Sequence, residues 1–537
     1  MALNRRPLPF GGSSLGATAK PKDIWQEFTG SPYKHPQIPN VAFAGYDRGA
    51  DLPRPAVVVD ATAYGARNDG SADASGAINT AIAEAGERGG GAVLLPAGRY
   101  RVDDVVLVGH SDVVLRGEGS GRTTLFVTRP LEEMIGAYGS GKSAWSWCGG
   151  VVWVSHRDRY RSFTGAVRGG EDPHGGWTGN ARDLATTLTG ISSPAARGDF
   201  ELSVADSRGL TRGRRVLLQL DDDREHSLLK HLCGDIPGAS TYDWSRQPRI
   251  LRQAPFTWPV RIAAVTGTEV ALAQPLPLDV RLGWRPRLTT MGPAVTGAGV
   301  EGLTIEMRKV RQARHLQDRG YNGLTFQCAW DCWADDVRVV HSDNGILLYA
   351  AKGVTLRRTT IAGRGRHHSY TCNLQSHDNL FQDFTIERFT ERVPGGAVHH
   401  GLDVETLSCG NVWSRGEMHQ GTFDTHRGLP FHNVRTEITV NNDGRPGGGE
   451  DTGPLHGARF THWNIDVTNR RAGCIKIDDV APYSATVGVS QMSRSGPAGR
   501  PVFGGPLHAR LAYDGDTSLR PSNLYEAQRA LRGGGPD

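Results

Sequence analysis

The sequence lacks the long apolar runs, paired cysteines and one-sided charge that mark three common classes of protein. Its longest apolar stretches, such as 92–95 and 149–154, are far shorter than the roughly 20 residues that span a bilayer. The seven cysteines are odd in number and show no CxxC spacing, which argues against a disulfide scaffold and a structural zinc site. The 61 basic and 56 acidic residues leave a net charge of only +5. We therefore expect neither a membrane nor nucleic acid as a partner.

The first twenty residues also lack an apolar segment, although they contain the pair Arg5 and Arg6. The protein is therefore expected to be cytoplasmic, or secreted if a signal peptide was removed. Glycine, in contrast, is abundant, with 70 of 537 residues. Such a composition indicates a turn-rich folded protein, and this length allows either several domains or one elongated repeat architecture.

The pattern of the chain changes near residue 57. Residues 1–56 are rich in proline, glycine and isolated aromatics, so we predict an arm that lies on the main body. From Val57 a short strand leads through an Arg-Asn-Asp-Gly turn into one amphipathic helix, predicted over 74–87. Short strands are predicted next at 92–95, 100–102, 105–108 and 113–116. One helix followed by closely spaced strands is what the exposed end of a parallel β-helix requires.

The segment YGARNDGSAD…AINTAIAEA…GGGAVLLPAGRYRV…SDVVLRGEG closely resembles the N-terminal signature of the pectate-lyase-like superfamily. The resemblance implies an all-β fold, a right-handed parallel β-helix over 57–510, with the helix as its N-terminal cap. One departure is Asp73-Ala74, where members usually carry two consecutive acidic residues. The superfamily includes polysaccharide lyases, polygalacturonase-related hydrolases, epimerases and non-catalytic tailspikes, so the resemblance leaves the chemistry open. On the residues alone, an antiparallel sandwich is the alternative fold.

Repeated turns in the second half of the chain favour successive coils of a solenoid. A turn residue precedes an apolar stretch at intervals of 17, 26, 32 and 22 residues, at Asp336, Gly353, Asn379, Asn411 and Asn433. Asparagine and glycine suit the left-handed conformation that such turns need. Gly98, in a turn between two predicted strands, is likewise expected to have a positive φ.

An insertion that contains antiparallel β structure is predicted over about 128–290. We expect one ribbon to pair 201–204 with 215–220 and another to pair 260–265 with 270–273. Asp221, Asp222 and Asp223 lie between them and could bind a hard cation, although a solvated loop is the favoured interpretation. Residues 511–537 are polar and glycine-rich, and we predict a peripheral C-terminal tail.

Histidines are concentrated in one part of the chain, where 11 of the 19 lie between 341 and 462. They follow successive predicted strands, so equivalent residues of neighbouring coils should stack about 4.8 Å apart on one lateral face. Period-two alternation buries Leu402 and Val404 and sends Asp403 and Glu405 to the outer face. The sequence therefore predicts a groove lined by histidine, arginine and carboxylate groups. For any single histidine, a polar ladder that stabilises turns is the alternative.

This groove is the candidate site for an acidic polysaccharide or oligosaccharide. The predicted catalytic residues are His368, His400, Asp403, Asp424 and His426. The predicted substrate-binding residues are His341, Arg366, Arg392, Glu405 and Arg427. β-Elimination from a uronate needs a partner for the C6 carboxylate, a base for the C5 proton and an acid for the leaving oxygen. An arginine- and histidine-rich groove offers all three groups.

Within this scheme we expect His400 or His368 as the base and Arg366 with Arg427 as the carboxylate clamp. His426 held by Asp424 is the alternative acid or base, if a bend in the strand lets the two side chains meet. No cofactor is required by this scheme, although calcium bound by Asp403 and Glu405 could replace the arginines.

Three other functions stay open at this stage. Hydrolysis could use Asp403, Glu405 and Asp424, but the resemblance to polygalacturonase-like hydrolases is limited to partial motifs at 399–401 and 474–476. A small-molecule enzyme is also allowed. A non-catalytic carbohydrate-binding β-helix should expose aromatic platforms for sugar rings. The candidates for such platforms are more typical of a core, namely Trp330, Trp333, Trp413 and Trp463.

Overall fold

A computed structural model describes residues 21–171, 185–246, 250–251, 255–444, 448–449, 453–490, 502–515 and 519–532. Parts of the predicted arm, insertion, β-helix and tail therefore lie outside the described residues, namely 1–20, 172–184, 247–249, 252–254, 445–447, 450–452, 491–501, 516–518 and 533–537.

Two long sheets with parallel strand pairing form the body of the protein. The first has seven strands: Val106–Val108, Val152–Val154, Asn322–Gln327, Asn344–Tyr349, His368–Asn373, His400–Glu405 and Phe423–Arg427. The second has seventeen: Val57–Asp60, Asp69–Asp73, Gly91–Leu95, Gly98–Val102, Val113–Gly117, Thr123–Val127, Gly299–Met307, Trp333–Val340, Thr355–Arg357, Thr360–Ala362, Leu380–Gln382, Thr385–Ile386, Val412–Gly421, Val434–Asn442, Thr461–Val467, Ala485–Ser490 and Arg510–Ala512.

A third, narrower face completes each coil. Strands Val295–Thr296 and Ala329–Trp330 pair in parallel, and single parallel bridges continue this face from Trp330 through Lys352, His377 and Cys409. The predicted parallel β-helix is therefore confirmed, and the alternative antiparallel sandwich is wrong for the body of the chain.

The core between the faces is built from residues that stack in register. On the seven-stranded sheet, Leu324, Ile346, Tyr370, Leu402 and Phe423 are successive Cα partners in the ladder. All five side chains belong to the main buried apolar cluster. Because side chains alternate along a strand, the residues on either side of each core residue point to the outer face of the sheet.

The helix Ser75–Glu87 covers the N-terminal end of the solenoid, as the sequence predicted over 74–87. Its buried residues Ile78, Ala81, Ile82 and Ala85 form one apolar stripe, which packs on the first strands. Without this helix, the first coil would leave its apolar interior in water. Other α-helices within the described residues include Pro21–Gly30, Leu131–Met134, Arg157–Arg168, Ser227–Leu232, Pro237–Thr241 and Leu524–Arg532.

The first coils pair in parallel and not as a hairpin. Gly91–Leu95 pairs with Val113–Gly117, and Gly98–Val102 pairs with Thr123–Val127. The turn between the first two strands needs glycine at position 98, as predicted, because φ there is +146°. A Cβ atom at this position would lie only 2.3 Å from the carbonyl oxygen of Asn68.

The insertion carries an antiparallel sheet of six strands with its own apolar core. Its strands are Thr187–Gly190, Glu201–Ser203, Arg215–Leu220, Phe256–Thr266, Glu269–Leu272 and Arg287–Thr289. The predicted ribbon of 260–265 with 270–273 is confirmed. The predicted ribbon of 201–204 with 215–220 is wrong, because the eleven-residue strand Phe256–Thr266 pairs with Arg215–Leu220 through its first half. Glu201–Ser203 pairs instead with Glu269–Leu272.

Two details qualify the predicted insertion. Val152–Val154 lies inside the predicted range of 128–290, yet it is a strand of the seven-stranded sheet. Each of the three consecutive aspartates already accepts a hydrogen bond. The donors are Arg287 for Asp221, His226 for Asp222 and the backbone N–H of Ser227 for Asp223. These contacts favour the loop interpretation over a cation site.

The coil turns differ by one residue from the prediction. Asp336 and Gly353 have positive φ, but at the next three coils the left-handed residues are Asp378, Gly410 and His432. The asparagine after each of them points inward instead. Asn379 Nδ2 donates to Asn411 Oδ1 at 2.8 Å, and Asn411 Nδ2 donates to Asn433 Oδ1 at 3.0 Å. These three buried side chains form an asparagine ladder that links successive coils.

The described parts of the arm and the C-terminal segment pack together. Ile24, Phe28, Leu524 and Tyr525 share one buried cluster with residues of the seventeen-stranded sheet. The proposed bounds of the arm, β-helix and tail stay a prediction. Trp330, Trp333, Trp413 and Trp463 are at most 2% exposed, and the seven cysteines are buried. In the described ranges, every helix is too short or too polar to cross a bilayer.

Candidate functional site

The seven-stranded sheet brings the predicted catalytic residues together on its outer face. His368 and His400 are Cα partners on neighbouring strands, as are Asp403 and Asp424. The imidazole rings of His368 and His400 stack with centroids 4.8 Å apart, and His426 lies edge-on to His400 at 4.7 Å. We refer to these five residues, with Glu405 and Arg427, as the histidine–carboxylate cluster.

The cluster is covered, whereas the sequence predicted an open groove. His368, His400, Asp403, Asp424 and His426 are each at most 8% exposed. The segment 308–320, which follows strand Gly299–Met307, covers part of the sheet: its Asp318 is bonded to His367 and its His315 contacts the rings of His367 and His400. A segment without periodic sequence gave no signal that it would fold over this face. On the other side, Gly448 lies against His426.

Hydrogen bonds fix the tautomer of each imidazole. The Asn344 amide nitrogen donates to Trp145 O and Asn322 Oδ1, so Asn344 Oδ1 accepts from His368 Nδ1 at 2.9 Å. His368 therefore keeps its Nε2 lone pair available, 4.0 Å from Asp403 Oδ2.

Two further imidazoles donate to carboxylates. His400 Nδ1 donates to Asp424 Oδ2, and His367 Nδ1 donates to Asp318 Oδ2 at 3.0 Å. Acceptance by a carboxylate places the proton of each ring on Nδ1. The Nε2 atom of His400 is buried and has no hydrogen-bond partner among the described residues.

A β-bulge lets Asp424 bond to two histidines at once. Val404 pairs with Thr425 but Glu405 pairs with Arg427, so His426 is the extra residue of the bulge. Its Nδ1 donates to Asp424 Oδ2 at 3.0 Å. The bend that the sequence required for this contact is therefore present.

Burial keeps two of the imidazoles neutral near pH 7. It lowers the pKa of His400 to about 4, although Asp424 opposes the shift. It also lowers the pKa of His368 well below its usual value, and the neighbouring His367 and His400 add to this effect.

The carboxylates respond in opposite directions. Burial raises the pKa of Asp403 well above its usual value, and the charge of Glu405 adds to the shift. At Asp424 burial also favours the neutral form, but the charges of His426 and His400 outweigh it and hold the pKa below its usual range. Burial would lower the pKa of His426, yet Asp424 raises it to about 9.

Arg427 links the cluster to solvent. Its side chain is 26% exposed, with Nη2 2.6 Å from His426 Nε2 and Nε 3.8 Å from Glu405 Oε2. The guanidinium can donate to His426 Nε2 only while that nitrogen is unprotonated. Protonation of His426 therefore requires Arg427 to move away.

Three predicted substrate-binding residues lie apart from the cluster. Arg366 is fully buried, stacks on Phe389 at 4.9 Å and donates to Glu387 O, and burial lowers its pKa to about 9. This placement puts it out of reach of a substrate carboxylate. His341 occupies a turn where its Nδ1 accepts from the backbone of Arg364. Arg392 is exposed on the segment that precedes His400–Glu405.

Sequence reasoning missed several residues of the site. His315, Asp318 and Asn344 orient or approach the histidines, but they belong to other strands or to the covering segment. The sequence did carry one signal for this segment, a concentration of basic residues around His315. These residues are Arg308, Lys309, Arg311, Arg314 and Arg319. A polar surface cavity also lies near His399, the residue before His400, because its lining residue Asp443 is 3.9 Å from His399. It is lined by Arg388, His419, Gln420, Asn441, Asn442, Asp443, Asn469 and Arg471.

The donor set does not fit calcium. Calcium takes six to eight oxygen ligands, whereas nitrogen atoms dominate this site. Glu405 Oε1 already accepts from Asn373 Nδ2 at 2.5 Å, and Asp403 faces His368. The earlier expectation that Asp403 and Glu405 could bind calcium is therefore not supported by the geometry.

Comparisons with known proteins agree with the fold. Residues 58–144 match the family described as rhamnogalacturonase A/epimerase, pectate lyase-like. Alginate lyase 7 of Azotobacter vinelandii is 41% identical over 78 residues, an alignment that spans 13% of this chain and only 9% of that protein. Together with the strand pairing, the family match confirms the resemblance seen in the sequence: the fold is a parallel β-helix, and its N-terminal part is similar to pectate-lyase-like proteins.

The solved structures that align with this chain do so with low TM-scores and low sequence identity. The tailspike gp49 of Pseudomonas phage LKA1 aligns with a TM-score of 0.46 and 13% identity, over 81% of this chain and 72% of that one. The A-module of the Azotobacter vinelandii mannuronan C-5 epimerase AlgE4 aligns with a TM-score of 0.33 and 11% identity, over 85% and 95%. An exopolygalacturonase from Thermotoga maritima aligns with a TM-score of 0.30 and 10% identity, over 84% of this chain and 79% of that one.

Proposed function

We propose that the protein is a carbohydrate-active enzyme that cleaves an acidic, uronate-containing polysaccharide or oligosaccharide by β-elimination at the histidine–carboxylate cluster. The observation that carries the proposal is the arrangement on the seven-stranded sheet. A neutral imidazole with an available lone pair, a histidine supported by a buried carboxylate and an arginine within reach of solvent lie on neighbouring strands.

The charge around the site supports an anionic substrate. Arg427 is the cation of the cluster nearest to solvent, and Arg311 and Arg314 are exposed on the covering segment. The neighbouring cavity adds Arg388 and Arg471 among amide side chains that can bond to sugar hydroxyls. The name of the aligned relative, alginate lyase 7, agrees with a uronate polymer, although that alignment covers only the N-terminal part of the chain.

The chemistry can be assigned to atoms. His368 Nε2 accepts the C5 proton, because its Nδ1 proton is held by Asn344. The C4–O bond then breaks, a C4–C5 double bond forms, and the leaving oxygen takes a proton from His426, whose protonated form is supported by Asp424. Arg427 moves from His426 to the C6 carboxylate, where its two N–H groups stabilise the charge that develops during proton removal.

Hydrolysis in the same site is the second candidate. It is favoured by one observation: Asp403 and Asp424 lie on adjacent strands in register, so two carboxyl groups are available on one face. A non-catalytic binding role has less support, because the four tryptophans that could serve as sugar platforms are buried.

The test separates these functions by product. The protein is incubated with polymers of mannuronate and guluronate, of galacturonate and of glucuronate, and both ultraviolet absorbance and new reducing ends are measured. Elimination gives both signals, because the new double bond is conjugated to the carboxylate, whereas hydrolysis gives reducing ends alone. Binding without either signal would support the non-catalytic role and overturn the proposal.

The site is tested with matched variants. His368→Asn and Asp424→Asn should each reduce kcat by about 10²- to 10⁴-fold, the usual contribution of a general acid or base. The control is His226→Asn, which removes another histidine bonded to an aspartate, Asp222, in the insertion. Full activity in both site variants, with normal folding, would show that the reaction occurs elsewhere on the protein.

A further inference from the structure

Two buried carboxylates orient two imidazoles in the manner of a metal site. Asp318 accepts from His367 Nδ1, and Asp424 accepts from His400 Nδ1. In the neutral ring, each contact leaves Nε2 unprotonated and available as a ligand. Histidine ligands of metal ions are commonly held in this way by a carboxylate behind the ring, which fixes the tautomer and raises ligand basicity.

A third imidazole completes the group. His315 lies on the covering segment, with its ring centroid 5.0 Å from that of His367 and 6.4 Å from that of His400. One nitrogen from each of the three residues lies within 4.8 Å of the others. A tetrahedral ion with 2.0–2.1 Å bonds needs ligand nitrogens roughly 3.4 Å apart, so the three rings would have to close inward on the ion, His315 from an exposed position.

We propose that His315, His367 and His400 bind one divalent transition-metal ion, of which zinc is the best match. Imidazole nitrogen suits zinc, copper, nickel and cobalt, whereas calcium and magnesium prefer oxygen. Three histidines with one position left open is also the ligand set of catalytic zinc sites.

The neighbouring set of His400, Asp424 and His426 is the less suitable alternative. Its potential ligand atoms also lie within 4.8 Å of one another. However, Asp424 Oδ2 already accepts from the Nδ1 atoms of both histidines, so those nitrogens carry protons. Binding an ion there would first break both hydrogen bonds.

Metal binding would also fasten the covering segment to the solenoid. His315 and Asp318 belong to segment 308–320, while His367 and His400 lie at the beginning of two strands of the sheet. An ion shared by these elements should therefore protect the exposed Arg311 and Arg314 from trypsin. Metal binding itself does not depend on the proposed function. Only its use, as a second partner for the substrate carboxylate beside Arg427, rests on that function.

The experiment uses the full chain, first treated with a chelator and then titrated with Zn²⁺ or Co²⁺. We expect one ion per chain by calorimetry and by metal analysis after dialysis, and a visible Co²⁺ spectrum of a four- or five-coordinate site. Asp318→Asn should weaken binding about 10- to 100-fold, the usual effect of removing a carboxylate behind a histidine ligand. His315→Ala, at an exposed position that should tolerate substitution, should weaken it at least as much.

Each outcome decides the proposal. His226→Asn, the control in the insertion, should bind the ion as tightly as the unaltered protein. Absence of stoichiometric binding by the unaltered chain, or unchanged affinity and an unchanged cobalt spectrum in both His315→Ala and Asp318→Asn, would overturn the site. Because these readouts are independent of turnover, an inactive protein that binds zinc as described would reject the proposed function and keep the metal site.

Discussion

The asparagine ladder between coils should contribute strongly to stability, and Asn411→Ala tests it. The side chain of Asn411 accepts from Asn379 N and Nδ2 and donates to Asn433 Oδ1 and Ser376 O, at 2.8 to 3.1 Å. Its removal loses four hydrogen bonds at a fully buried position and leaves the Asn379 N–H without its acceptor. At about 0.5–1.5 kcal/mol for each bond, the free energy of unfolding should fall by about 2–6 kcal/mol.

The assay is equilibrium unfolding in urea, followed by circular dichroism and tryptophan fluorescence. Asn68→Ala is the matched control, because Asn68 is exposed and its side chain makes a single hydrogen bond, to Ala97 O. We expect the control to change the free energy by less than about 1 kcal/mol. A similarly small effect of Asn411→Ala would refute the argument that the ladder holds successive coils together.

Three further predictions concern the backbone, pH and the site cover. Gly98→Val should lower the free energy of unfolding by about 1–3 kcal/mol, measured by denaturation, because φ at this position is +146°. The control Gly76→Ala, on the open face of the capping helix, should leave stability unchanged or raise it. Burial lowers the pKa of His377 to about 3, so below pH 6.5 the unfolded chain binds a proton that the folded chain does not. This residue alone should lower the free energy of unfolding by about 1.4 kcal/mol per unit as the pH falls from 6.5 to about 3, so stability should fall less steeply over this range in His377→Gln. A double variant, Arg311→Ser with Arg314→Ser, should raise KM for a uronate polymer more than it lowers kcat, and an unchanged KM would remove the covering segment from substrate binding.

The sequence was most informative where local rules decide the structure. The capping helix, the parallel first coils and the turn at Gly98 follow from apolar spacing and glycine chemistry within short segments. Period-two alternation also placed Asp403 on the face opposite Leu402 and Val404, because side chains alternate between the two faces along a strand.

It was least informative where distant segments meet. Segment 308–320 has no periodic pattern, so its position over His367 and His400 depends on tertiary contacts such as the bond from His367 to Asp318. For the same reason the cluster was expected to be open and is covered, and Arg366 was expected to face substrate and is buried. In the insertion, the full length of Phe256–Thr266 decided the pairing, and propensity alone did not reveal that length.

A structure of the protein with a bound uronate oligosaccharide is the most direct test of the proposed active site. The account predicts a C6 carboxylate within hydrogen-bond distance of Arg427 and a C5 atom beside His368 Nε2. It also predicts that the chain of sugars continues toward the cavity of Arg388 and Arg471. A sugar bound on the seventeen-stranded sheet or on the insertion, with the histidine–carboxylate cluster untouched, would contradict it.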